Sequence, residues 1–218
     1  GENVLVVADF DNNCLRRIFM HNGVGEHVTT WAGSNIGKAG FEDGKVSQAL
    51  FNHPGGIVMD EMDGSFFVAD TYNHAVRKLW RNEEGEWVVT RIAGTGEKGF
   101  QDGYGDGARF NCPTGISMDG EGNVLIADFS NNAIRKLKRV GQGEVEKWLV
   151  STLVGKPDVD SKGQPFGPPG YIDGHRHKAR LNRPHGVFWE AATNNVYIAD
   201  CMNNRVRCVS GDRVRTVL

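Results

Sequence analysis

Four stretches of the chain are apolar without alternation: Val4-Leu5-Val6-Val7-Ala8, Phe66-Phe67-Val68-Ala69, Val124-Leu125-Ile126-Ala127 and Val196-Tyr197-Ile198-Ala199. A strand with one face in water alternates apolar and polar positions, whereas an unbroken run needs cover on both faces. Each run leads into an aspartate and a short turn with paired polar residues (Asn12-Asn13, Asn73-His74, Asn131-Asn132, Asn203-Asn204), followed by a second strand-like segment such as Ala75–Leu79 or Ala133–Leu137. Ahead of three of the runs stands Pro-x-Gly-Ile or Pro-x-Gly-Val, at 54–57, 113–116 and 184–187. Behind them come "VTTWAG" at 28–33, "VVTRIAG" at 88–94, "VSTLVG" at 150–155 and "VRTVL" at 214–218. With Asp-Gly, Gly-Asn and Asn-Asn turns between them, these segments predict four short strands per unit, and no interval carries a helical period.

The units are copies. Asp9, Asp70, Asp128 and Asp200 are each followed seven positions later by an arginine: Arg16, Arg77, Arg135 and Arg207. Upstream, Asp43, Asp102 and Asp173 each precede the repeated proline by eleven residues. A fixed order recurring at about 60 residues means stacked supersecondary units. We place their boundaries at about 1–42, 43–101, 102–172 and 173–218, within a single domain over 1–218. Sheets stacked face to face cover both sides of the unbroken strands. The constant alanine marks a place where neighbouring sheets converge, as near the axis of a radial assembly. The expected architecture is all-β: a β-propeller of four-stranded antiparallel blades, with four repeats visible. The first repeat lacks its Pro-x-Gly strand and the last stops after its fourth, so the chain reads as a segment of a larger ring.

The text "PGGIVMDEMDGSFFVADTYNHAVRKL" followed by "VVTRIAGTGEKGFQDG" resembles the NHL repeat, with Asn73-His74-Ala75 as the closest match to the name-giving tripeptide and Asn-Asn in the other copies. The resemblance covers nearly the whole chain. It implies a β-propeller, commonly of six blades.

Composition changes this picture little. Glycine supplies 29 of 218 residues, nearly twice the usual share of about 7%, as a turn-rich chain requires. The net charge of −2 gives no global field toward nucleic acid or anionic membrane. Basic residues concentrate in 175–218, where Arg176, Lys178, Arg180, Arg183 and four further arginines face only Glu190, Asp200 and Asp212. No stretch has the 18 apolar residues of a membrane helix, and no charged-then-apolar leader opens the chain, so membrane insertion is not expected. Cys14, Cys112, Cys201 and Cys208 have no zinc-ribbon spacing and leave the compartment open, an extracellular or secretory setting ranking ahead of the cytoplasm.

Residues present in every copy serve what every copy does. The Asp/Arg pairs (Asp9, Arg16; Asp70, Arg77; Asp128, Arg135; Asp200, Arg207) are therefore expected to hold turns and strands together, and His74 to sit structurally in its turn. Chemistry belongs where the copies differ: His53, Cys112 and Arg183 before the repeated proline, Gly55, Thr114 and His185 after it. His53 and His185, joined by His175 beside His177, would be the ligands of a zinc or calcium ion in a metal-dependent lyase or hydrolase. No cofactor is expected otherwise. The segment 102–107, "DGYGDG", lacks EF-hand spacing and reads as turns. No P-loop, dinucleotide fingerprint or nucleophile elbow occurs.

The largest departure from the repeat is "KPDVDSKGQPFGPPGY" at 156–171, with four of the seven prolines. With Phe166 and Tyr171 it reads as an irregular loop offered to a partner. The leading expectation is a non-enzymatic scaffold that binds a protein partner through loops and channel rim, at Phe166, Tyr171, Arg176, Lys178, Arg180 and Arg183. RNA binding through the basic 175–218 region is a further alternative, unsupported by the net charge and by any aromatic stacking series there.

Overall fold

A computed structural model describes residues 3–140 and 147–218. Among these residues four larger antiparallel sheets follow one another along the chain. Sheet one holds Asn3–Asp9, Cys14–His21 and Val24–Gly33. Sheet two runs, in chain order, Gly44–Lys45, Pro54–Met59, Phe66–Asp70, Ala75–Arg81 and Trp87–Ala93. Sheet three repeats the plan with Gly103–Tyr104, Pro113–Met118, Val124–Asp128, Ala133–Val140 and Lys147–Val154. Sheet four does so with Gly174–His175, Pro184–Glu190, Asn195–Asp200, Arg205–Ser210 and Arg213–Thr216. In the three five-stranded sheets the Pro-x-Gly strand forms one edge, and the two-residue Asp-Gly strand pairs with the last strand at the other. That fifth strand was not legible in the apolar pattern, because two residues carry no period.

The Pro-x-Gly edges lie against each other from sheet to sheet. A Cβ added at Gly56 would meet the Thr114 carbonyl oxygen at 2.7 Å, and one at Gly115 would meet that of His185 at 2.4 Å. Glycine is needed there for this close backbone approach. Side chains reinforce it: Thr71 Oγ1 donates to Pro113 O (2.7 Å) and Thr114 Oγ1 to His185 O (2.9 Å). The sheets thus fan outward from a line of touching inner strands, with one apolar core in each wedge. Leu15, Phe51, Val68 and Leu79 join sheets one and two; Phe67, Phe110, Ile126 and Trp148 join two and three; Leu125, Leu181, Val187 and Ile198 join three and four.

Double-sided burial holds for the unbroken strands of sheets two and three, where Phe67 to Ala69 and Val124 to Ala127 are sealed. It fails at the two ends. In sheet one Val4, Leu5 (52%) and Val7 are exposed, and in sheet four Ala199 is exposed. Each of these sheets lacks a described neighbour on its outward side, so one face of the same apolar text meets water.

The 156–171 segment also differs from its expectation as irregular loop. Asp158–Val159 pairs with Pro165–Phe166 in a small hairpin, whose turn is held by Asp160 Oδ1 accepting the N–H groups of Lys162 and Gln164. Among the described residues no helix is long and apolar enough to cross a membrane, and all four cysteines are free.

Candidate functional site

The aspartate ending each inner run organises one end of the sheets. In sheet two, Asp70 Oδ1 accepts the Asn52 N–H (2.8 Å), while Oδ2 accepts Asn73 Nδ2 (2.8 Å) and Arg77 Nη1 (2.7 Å). Arg77 continues to the carbonyls of Leu50 and Glu42 and to the Asp43 carboxylate. Burial pushes the carboxyls of Asp70 and Asp128 up from the ordinary range, against the pull of Arg77 and Arg135. These groups are wholly enclosed, so their work is architectural.

After the aspartate the chain makes one 3-10 turn and leaves it through a residue with left-handed backbone: His74 (φ 50°), Asn132 (52°) and Asn204 (51°), with Asn13 (55°) in the corresponding turn of sheet one. The residue before each repeated proline is left-handed too: His53 (53°), Cys112 (54°) and Arg183 (50°). The two sets meet across the wedges. His53 N–H donates to Asn13 Oδ1 (2.8 Å), Cys112 N–H to His74 Nδ1 (3.1 Å) and Arg183 N–H to Asn132 Oδ1 (2.7 Å). Accepting at Nδ1 requires neutral imidazole, and burial, then Lys98, holds the His74 pKa below its ordinary value. The side-chain acceptor of Asn204 is exposed and has no such donor among the described residues. Sequence reasoning missed these latches, although the constant spacing from each aspartate to Asn13, His74, Asn132 and Asn204 was a usable signal.

This end carries the residues in which the copies differ. Phe10, His53 and Tyr72 form an aromatic cluster with ring centroids 4.5 to 5.9 Å apart. Phe129 stands edge-on to His185 at 6.0 Å and lies under the Arg183 guanidinium at 5.7 Å. Tyr72 (48%) and Met202 (55%) are exposed beside them. Cys112 stands between, its thiol raised by burial.

The proposed ligands His53, His185 and His175 are engaged separately. His53 Nδ1 lies 2.9 Å from Asn52 Oδ1, His185 faces Phe129, and His175 stacks on His177 at 5.4 Å on the Asp-Gly strand of sheet four. Among the described residues no three His, Cys, Asp or Glu side chains are placed to hold a metal ion. The proposed partner-binding residues are scattered as well. Arg183 lies with the aromatic end, Phe166 on the small hairpin, and Tyr171 under Arg207 with its hydroxyl 3.1 Å from Thr216 Oγ1. Arg176 pairs with Asp212 and Arg180 with Asp158, and Lys178 is exposed. The basic 175–218 region is thereby partly neutralised by Asp212 within it and by Asp158 of the small hairpin.

The family model for the NHL repeat matches residues 51–79 and 110–137, spans that run through the proline, the unbroken strand and the Asp-to-Arg turn of sheets two and three. The chain is 31% identical to Protein SUPPRESSOR OF QUENCHING 1, chloroplastic, of Arabidopsis thaliana over 152 residues, covering 68% of this chain and 14% of that protein. It is 27% identical to NHL repeat-containing protein 2 of Bos taurus, over 95% of this chain and 30% of that protein. It therefore spans less than a third of either relative. A Bacteroides thetaiotaomicron structural genomics protein of unknown function superposes with a TM-score of 0.67 at 21% identity, covering 97% of this chain and 44% of that one. That likeness supports a β-propeller-like fold of several antiparallel sheets. On these matches, and on the repeated geometry beneath them, the chain carries NHL repeats at 51–79 and 110–137, and its relatives include NHL repeat-containing proteins.

Proposed function

We propose that residues 3–218 are an arc of a larger NHL-type propeller, and that the arc is a non-enzymatic module docking a protein partner on its aromatic end. NHL repeats generally mediate protein interactions. The observation that carries the reading is the division of labour at that end. The Asp and Arg of the intact repeats are consumed inside the sheets, while Phe10, Tyr72 and Met202 are left exposed around His53, His185 and Arg183. Exposed aromatic and Arg side chains on a rigid frame are the composition of binding hot spots. The small hairpin bearing Phe166 extends the same surface through its connection to Asn132, whose Nδ2 donates to Gly167 O (2.7 Å).

Affinity capture from the native source, with Phe10, Tyr72 and Met202 each changed to Ser in one variant, tests this. A stoichiometric partner retained by wild type and lost by the variant is the expected result. Retention by the variant, with loss on changing outer-edge residues instead, would sink the reading. The lyase or hydrolase alternative gains no support from the separated histidines.

A further inference from the structure

Equivalent positions in successive sheets serve as one another's controls. Between sheets one and two the wedge is plugged by Trp31, whose ring stands edge-on to Phe66 and Trp87 at 5.1 Å from each, with the Arg17 guanidinium 4.1 Å over its face. Aligned on Ala32 and Ala93, which precede the closing glycines, the place of Trp31 is taken in sheet two by Ile92. Isoleucine is much the smaller. The wedge between sheets two and three keeps a cavity of about 680 Å³, lined by Trp80, Thr90 and Ile92 from sheet two and Tyr104 and Trp148 from sheet three. Phe67 reaches the Trp148 ring edge-on at 5.2 Å, where sheet one has only Val6. The cavity persists in spite of it.

Two features say what would fill this space. The walls are aromatic, and Tyr104 (59%) and Trp80 are exposed. Among the described residues the charged lining is Lys78, Arg91 and Lys147 against a single acid, Asp106. Lys78 already pairs with Asp63 (3.5 Å), whereas Arg91 and Lys147 have no carboxylate partner among the described residues. Excess positive charge around an aromatic slot selects an acidic ligand with a flat apolar anchor.

We propose that this cavity docks an acidic peptide segment that inserts one aromatic side chain between Trp80 and Tyr104, as Trp31 inserts between the first two sheets, and sets its carboxylates against the cationic lining. The site lies apart from the aromatic end, since none of Phe10, His53, Tyr72 or Met202 lines it.

Fluorescence anisotropy with labelled peptides tests the assignment: Asp-Glu-Trp-Glu-Asp against Lys-Lys-Trp-Lys-Lys and Asp-Glu-Ala-Glu-Asp. The acidic tryptophan peptide should bind at least about tenfold more tightly than either control, and more weakly as salt rises. Ile92→Trp plugs the cavity from within and should cut that affinity at least about tenfold, with an unaltered far-UV spectrum. Lys147→Glu provides a second reading by reversing charge at an exposed position, with a loss of several-fold expected. Tyr72→Ala, on the other end, should leave binding unchanged. The proposal is overturned by equal affinity for either control peptide, by wild-type affinity in both cavity variants, or by no binding at millimolar peptide.

Discussion

Sheet three and sheet one carry the same Asp and Arg seven residues apart, and they use them differently. In sheet three Asp128 accepts the Asn111 N–H, Asn131 Nδ2 and Arg135 Nη1, each at 2.8 Å. Arg135 also reaches the carbonyls of Arg109 and Gln101 and the Asp102 carboxylate, with Phe100 and Phe110 rings near its guanidinium. Both side chains are fully enclosed. In sheet one Asp9 and Arg16 stand 4.0 Å apart with about a third of each side chain exposed, and Arg16 turns to Thr30 Oγ1 (3.0 Å). Among the described residues sheet one has no Asp-Gly strand and no Asn-x-Pro approach. A buried pair therefore depends on the segments that wrap it; the two residues alone make a surface contact.

The largest expected effect comes from breaking the enclosed pair. Arg135→Met should cost about 3–5 kcal/mol by leaving Asp128 buried without its cation, against no more than about 1 kcal/mol for Arg16→Met; urea denaturation reads both, and equal losses would erase the distinction. Next is Gly167→Ala, where a Cβ would fall 1.5 Å from the Asn131 carbonyl oxygen, an overpacking cost of about 1–3 kcal/mol. Gly37→Ala, with its nearest neighbour at 3.9 Å and φ +74°, should cost about 1 kcal/mol for the left-handed backbone alone. Asn132→Ala should exceed Asn204→Ala by about 1–3 kcal/mol, because the two share the backbone penalty and only Asn132 is latched. In a longer polypeptide that supplies a donor to Asn204, that gap should narrow.

The smallest effect concerns pH. His74 has a pKa lowered from its ordinary 6.5, so the folded state binds this proton more weakly than the unfolded one. Its contribution is present above pH 6.5 and is lost as acid takes the pH toward the lower folded value. His74→Asn should lie within about 0.5 kcal/mol of wild type near pH 8 and lose less stability between pH 6.5 and 5. Parallel pH profiles from thermal melts would remove His74 from the account.

Most of the architecture was legible because it is written repeatedly. The unbroken apolar runs, the Pro-x-Gly strands and the Asp-to-Arg spacing each place a strand or a turn. What escaped was set by contacts between copies. The left-handed backbone at His53, Cys112 and Arg183 is stabilised from the preceding sheet, so nothing in their own text announces it. The hairpin at 158–166 rests on Asp160 and two backbone bonds in a stretch that reads as proline-rich loop. Cover on both faces was inferred for every copy from its unbroken apolar run, yet it depends on having a neighbour, and among the described residues the outward sides of sheets one and four have none. The three histidines are alike in type but separate in place, and distance between wedges is not written in any one repeat.

Every latch points the same way, with its donor on the later sheet and its acceptor on the earlier. Contacts with unlike halves do not saturate in pairs; each added layer presents a fresh acceptor, and the series stops only by closing on itself or by meeting a foreign cap. The donor always precedes the repeated proline, which sheet one lacks, so a second copy of the described residues offers Asn204 no latch, and that acceptor calls for a different segment or a ligand.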